Sequence, residues 1–373
     1  MKIVLAFDSF KGSLPAQEAC RIVTATLAAS RPTWEVISKP MADGGEGTSE
    51  TILSAVVGEW CPCRVMGPLP GRDVAAGFVW FPDDQTALVE MAAASGITLI
   101  PSSDLNPMLT TTFGTGQLLM KAMERQPRRI LLAVGGSATV DGGVGAAQAM
   151  GWRFMDAKGQ EIVLGGAGVE AIAKILPPLY TVKLPRVEVL CDVNNPLCGI
   201  QGAAVVYGPQ KGATPDMIRR LDDALGRLAA IMKSLTGRDI ATVPGAGAAG
   251  GLAAGAMAFF DAQLVPGVEA VMKVCGVEKA MQGADWVITG EGRLDHQSFQ
   301  GKVVSGIVNA AKRNHLKVAV IAGQVALSEL EWRRCGVQEA YGLVPPGPVT
   351  PAMLREARQR LVDRVRILVD AMG

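Results

Sequence analysis

The chain has 373 residues, enough for two domains with substantial cores, and its 49% hydrophobic and 19% charged content is that of an ordinary globular protein. A formal net charge of +1 offers no basic surface for nucleic acid or anionic membranes, and no apolar run reaches transmembrane length. Two histidines and seven scattered cysteines without zinc spacing argue against a histidine-centred hydrolase, a His/Cys metal site and a disulfide framework.

Met1-Lys2 leads directly into a short apolar strand, Ile3–Phe7, with no signal peptide, so a cytoplasmic protein is expected. Asp8-Ser9-Phe10-Lys11-Gly12-Ser13 follows, then a helix over Ala16–Ala29 that Ser13 and Pro15 are placed to start. A lysine and two serines at the carboxyl end of a parallel strand stand where open α/β sheets bind ligands. Glu35–Ser38 reads as a second strand, ending in Asp43-Gly44-Gly45-Glu46-Gly47, two carboxylates among three glycines. Each loop, taken singly, is equally a capped turn between strand and helix.

Pro68–Arg72 is turn-rich and is read as the exit from the first domain. Gly77–Phe81 and Ala87–Met91 form a predicted hairpin, and Gln117–Arg125 a helix preceded by Thr110-Thr111-Thr112, whose hydroxyls could meet phosphate or cap the helix. Ile130–Val134 is a buried strand. The loop after it, Gly135-Gly136-Ser137-Ala138-Thr139-Val140-Asp141-Gly142-Gly143-Val144-Gly145, gathers five glycines, a serine and a threonine around one aspartate. Strand, glycine loop and helix start can present free N–H groups to an anion, because glycine adopts positive φ and lets a phosphate approach the backbone. A tight turn with no ligand is the other reading.

Val187–Leu190 is a further strand, running into Cys191-Asp192-Val193-Asn194-Asn195-Pro196. Asp192 is placed either as a proton-accepting or metal-binding carboxylate or as an Asx turn before proline. Ala203–Tyr207 reads as a strand before Gly208-Pro209-Gln210-Lys211-Gly212, and Pro215–Thr236 as a long amphipathic helix. Gly245–Gly250 formally matches a dinucleotide fingerprint, but no good strand precedes it, so it is read as a close-packed helix start. Trp286–Thr289 and Val318–Ala322 are strands, Ala340–Val344 another, Val303–Arg313 a helix and Pro351–Met372 a closing helix. Between them lies the charged loop Gly290-Glu291-Gly292-Arg293-Leu294-Asp295.

This alternation predicts an α/β fold in two domains: residues 1–75 plus 280–373 forming one parallel sheet, residues 76–279 an inserted mixed α/β domain, and a site in the cleft between them. The glycine-bearing loops carry Ser9, Lys11, Asp43, Glu46, Ser137, Thr139, Asp141, Asp192, Lys211, Glu291, Arg293 and Asp295. Backbone donors, cations and carboxylates together suit phosphoryl transfer, which needs anion cradles, Mg²⁺ on carboxylates and little covalent chemistry. Lys11-Gly12-Ser13 lacks the upstream glycine frame of a Walker A loop, which argues against a P-loop NTPase.

At these residues the chain resembles the glycerate kinase family over nearly its full length. The resemblance rests on Asp8–Ser13, Ala42–Gly47, Gly135–Gly143, Cys191–Gly199, Gly208–Gly212 and Thr289–Gln297, in that order, with Val140 standing where the family has asparagine. It implies a flavodoxin-like (Rossmann-like) domain with an inserted restriction-enzyme-like domain, and transfer of the ATP γ-phosphoryl group to the 2-hydroxyl of D-glycerate with Mg²⁺. Under it Asp192, Lys11, Asp43 and Asp295 are the candidate catalytic residues, with Asp192 and Asp43 on the metal. Ser9, Glu46 and Arg293 would bind substrate, and Gly135, Gly136, Ser137, Thr139, Asp141 and Lys211 the nucleotide phosphates. Transfer to the 3-hydroxyl, a non-catalytic small-acid-binding protein and a dinucleotide oxidoreductase are the alternatives. The expected partners are small molecules, not nucleic acid or membrane, and the expected state is a monomer or small homo-oligomer.

Overall fold

The computed structural model describes residues 1–45, 47–180 and 183–372. The chain divides into two compact units: Met1–Asp43, Glu50–Val57 and Pro266–Gly373 in one, Gly44–Ser49 and Gly58–Val265 in the other.

The first unit is built on a five-stranded sheet, parallel throughout, in the spatial order Glu339–Gly342, Lys317–Ala322, Trp286–Gly290, Lys2–Phe7, Glu35–Ser38. Ranked along the chain this is 2-1-3-4-5, the flavodoxin-like order, with its switch point between the Lys2–Phe7 and Trp286–Gly290 strands. Ile3–Phe7 is wholly buried without alternation, as expected of a parallel strand covered on both faces. Ile3, Leu5, Phe7 and Ile288 pack with Leu27, Leu361, Val365 and Leu368 of the helices Ala16–Ser30 and Ala357–Met372. The Val303–Arg313 helix packs on the Trp286–Gly290 and Lys317–Ala322 strands. The expected closing helix is broken into Pro351–Arg355 and Ala357–Met372, with Glu356 between them at ψ −2.

The second unit holds a six-stranded mixed sheet in the order Gln263–Val265, Arg186–Leu190, Arg129–Ala133, Thr86–Glu90, Asp73–Phe81, Glu59–Met66. The first four run parallel, and the last two add an antiparallel meander. The hairpin expected around Pro82–Gln85 is present, with Val79 opposite Leu88. The Glu59–Met66 strand has no counterpart in the sequence reading, because Pro62 interrupts its pattern; it is tolerated on the sheet's edge, where a missing N–H breaks no interior ladder. Pro68–Arg72, read as a domain exit, is therefore the bend between two strands of one sheet.

Ala203–Tyr207 corrects a second expectation: it is a helix, not a strand. Gly202, Ala203 and Ala204 are buried, Val205 and Val206 partly exposed, and Gly208 buried again, a helical period that the run of apolar residues conceals. All seven cysteines are free thiols. No helix among the described residues is long and apolar enough to cross a membrane.

Candidate active site

A cavity of about 510 Å³ opens at the carboxyl ends of the first unit's strands, at the switch point of the sheet. Phe7 ends one central strand, and the next residue, Asp8, is tied across by its N–H to Gly290 O at 2.9 Å. The loop then folds back, Phe10 and Leu14 bridging each other, so Asp8, Ser9, Lys11 and Ser13 line the cavity. Gly290 ends the neighbouring strand. A Cβ there would stand 1.9 Å from Ile321 O and 2.9 Å from the Phe7 ring, so only glycine lets the strands close at this point. Beyond it Glu291, Arg293 and Asp295 enter the lining, joined by Asp43 and Lys302.

The charges are crowded. Burial pushes the Asp8 carboxyl up to about 7; the Asp43 charge adds to this, the Ser9 N–H at 2.7 Å opposes it, the Glu291 charge raises it further and Lys11 opposes. Burial likewise raises Glu291, against the Ser298 hydroxyl and Lys302, while Asp295 and Asp43 reinforce the shift. Glu291 Oε1 is buried with no hydrogen-bond partner. Asp295 Oδ1 accepts the Gln297 N–H at 2.9 Å, capping the His296–Phe299 turn, and its Oδ2 faces Arg293 at 3.6 Å. Arg293 is otherwise solvent-facing, with the reach to clamp a carboxylate.

Part of the cavity lining is apolar. Leu343, Val344, Val349, Met353 and Leu354 line it with Phe10. Gln324, 5% exposed, holds this wall by donating both amide hydrogens, to Pro345 O at 2.9 Å and Gly347 O at 2.7 Å.

In the second unit, the Gly135–Gly145 loop is largely consumed by hydrogen bonds within itself and to neighbouring segments. The fully buried Asp141 carboxylate accepts from Thr112 N (2.8 Å), Thr112 Oγ1 (2.9 Å), Gly143 N (3.1 Å) and Gly145 N (3.3 Å). The Ala138 amide goes to Ser95 O, that of Gly142 to Gly250 O and that of Ala146 to Thr112 Oγ1. Asp141 thus acts as an internal knot, and the Thr112 hydroxyl is spent on Asp141 and the Ala146 N–H rather than capping its own helix or facing outward. The exposed part of the loop is Gly135–Ser137. Lys211, 1% exposed, donates to Ser137 Oγ and Thr139 O, both at 2.7 Å; burial draws its pKa down to about 7, against the Asp141 charge. Thr139 Oγ1 is buried and unpartnered. The Gly245–Gly251 stretch packs on this loop backbone to backbone: a Cβ at Gly250 would lie 1.9 Å from Thr139 O.

The structure therefore gathers Ser9, Lys11, Asp43, Arg293 and Asp295 around one cavity, and Ser137, Thr139, Asp141 and Lys211 into one knot in the other unit. Asp192 is half-buried just past the Arg186–Leu190 strand. Glu46 lies outside the described residues. Asp8 and Lys302 are absent from the candidates read in the sequence, although an aspartate immediately after a buried parallel strand was a signal for the first. The carboxylates lining the cavity are hard oxygen donors of the kind Mg²⁺ takes, and Glu291 Oε1 among them is without a partner. Among the described residues no group of three or more His, Cys, Asp or Glu is placed to hold a metal ion.

The model of the glycerate kinase family matches residues 3–372. A glycerate kinase of Halalkalibacterium halodurans is 45% identical over 92% of this chain and 90% of its own length. The glycerate 2-kinase of Escherichia coli K12 is 43% identical over 87% of this chain and 86% of its own. A crystal structure from Salmonella typhimurium LT2, provisionally described as glycerate kinase 2, superposes with a TM-score of 0.88 at 39% identity, covering 100% of this chain and 98% of that one. Matched along its length in sequence and in fold, the chain belongs to the glycerate kinase family.

Proposed function

We propose that the protein transfers the γ-phosphoryl group of ATP to the 2-hydroxyl of D-glycerate, giving 2-phosphoglycerate and ADP. The observation that carries this reading is the cavity at the switch point, where carboxylates, the cations Lys11, Arg293 and Lys302 and an apolar wall share one lining. Lys11 and Arg293 neutralise the glycerate carboxylate and the transferring phosphoryl group, Arg293 by its two-pronged geometry. Ser9 hydrogen-bonds the acid beside them. Mg²⁺, which when bound offsets the charge of the nucleotide phosphates, would be held by Asp43 with Glu291 at its side.

Two carboxylates are proposed for the hydroxyl proton. Asp8 stands on the cavity wall itself; Asp192 lies just past the Arg186–Leu190 strand of the second unit, a position suited to a proton acceptor. The Gly135–Ser137 segment, held from beneath by Lys211, is proposed to meet nucleotide phosphates.

The test is ³¹P NMR of purified protein with Mg-ATP and D-glycerate. The expected product signal is a phosphomonoester coupled to one proton, at C2. Coupling to two protons would move the transfer to the 3-hydroxyl, and no ATP loss beyond a protein-free control would leave a small-acid-binding protein.

A further inference from the structure

We propose that the apolar wall of the first unit's cavity, formed by Phe10, Leu343, Val344, Val349, Met353 and Leu354, receives the base of the nucleotide. This rests on the kinase reading and adds to it which surface binds the heterocycle. The argument begins with size. A volume of about 510 Å³ lies in the roughly 300–1,000 Å³ range of sites that enclose drug-sized ligands, and a three-carbon hydroxy acid fills a small part of it.

Chemistry separates two kinds of lining residue. Every carbon of glycerate carries oxygen, so the acid gains nothing from an apolar surface and loses hydration against one. Its partners are Lys11, Arg293 and the carboxylates, all on strand-end loops. The apolar side chains come mainly from the 343–357 segment, and only the other reactant has a flat hydrophobic face to place there. The Met353 thioether is suited to contact with an aromatic ring. The wall is also prepared in advance, since Gln324 fixes the Pro345 and Gly347 carbonyls below it.

The experiment uses the full chain, with MgADP as the probe in equilibrium titration and initial rates for both substrates. Val349→Asp and Met353→Glu, each at a position with some solvent exposure, should weaken MgADP binding and raise the KM for ATP at least tenfold. Met353→Leu should stay within about twofold of wild type, and the KM for glycerate should change less than twofold in all three. Unchanged MgADP binding in both charged variants overturns the assignment, whether or not the KM for glycerate rises. Wild-type protein that binds MgADP through this wall and fails to phosphorylate glycerate would refute the kinase reading and leave the base site standing.

Discussion

Replacing Asp8 by asparagine removes a titrating group while keeping its shape and an oxygen for the Ser9 N–H. In the folded protein the Asp8 carboxyl is pushed up to about 7 from an ordinary 3.8, principally by burial and then by Asp43. The native state therefore binds its proton more tightly than the unfolded chain. Between pH 4 and 7 the unfolded chain carries fewer protons, so stability falls as pH rises, and above 7 the loss is complete. A displacement of about three pK units, at about 1.4 kcal/mol each, amounts to about 4 kcal/mol at pH 8 and about 2 kcal/mol at pH 5. The Asp8→Asn variant escapes this loss. In metal-free urea unfolding followed by tryptophan fluorescence, its midpoint should exceed that of wild type by a margin that widens from pH 5 to pH 8. A margin that does not change with pH would refute the assignment of strain to the Asp8 charge. The same variant should lose most of its turnover, so stability and activity move in opposite directions.

Lys211→Met reverses the pH sense: wild-type Lys211 sheds its proton near 7 when folded and near 10.5 when unfolded, so wild-type stability rises between those values and the variant's should not. Melting curves at pH 7 and 9.5 compare the two. Gly250→Ala combines a φ of 65 with a Cβ placed against Thr139 O, and should cost about 2 kcal/mol or more in denaturant unfolding. Asp192→Asn should lower kcat by orders of magnitude with the melting temperature unchanged; a near-wild-type rate removes Asp192 from the mechanism and leaves the proton to Asp8. Arg293→Ala should raise the KM for glycerate roughly tenfold, read from initial rates at fixed Mg-ATP.

Buried parallel strands were the most legible elements. Ile3–Phe7, Ile130–Val134 and Val318–Ala322 are uninterrupted apolar runs before glycine or charged loops, and each lies in its sheet within a residue or so of the expected bounds. Glu59–Met66 escaped because a proline in an edge strand looks like a break. Ala203–Tyr207 misled because two valines beside two alanines suggest a strand, whereas packing of Ala203 and Ala204 decides for a helix. At the site, composition pointed to the right loops without revealing where their donors go. Nothing in Gly135–Gly145 says that Asp141 spends its oxygens on Thr112 as well as on the loop's own amides, because Thr112 lies outside the loop. Asp8 was hidden by proximity: a carboxylate's titration depends on Asp43 and Glu291, hundreds of residues apart in sequence and side by side in the cavity.

The first unit's strand order sets the timetable of synthesis. Lys2–Phe7, the first strand made, is central in its sheet and pairs with Trp286–Gly290, nearly three hundred residues later. At roughly 5–20 residues per second, this strand can pair with Glu35–Ser38 soon after synthesis but waits tens of seconds for its second neighbour to leave the ribosome. Meanwhile Gly58–Val265 emerges as a continuous stretch and can complete its own sheet. The nascent chain thus carries a folded second unit together with a strand whose Trp286–Gly290 edge is still unpaired, which exposes Ile3–Phe7 to aggregation when expression outruns folding.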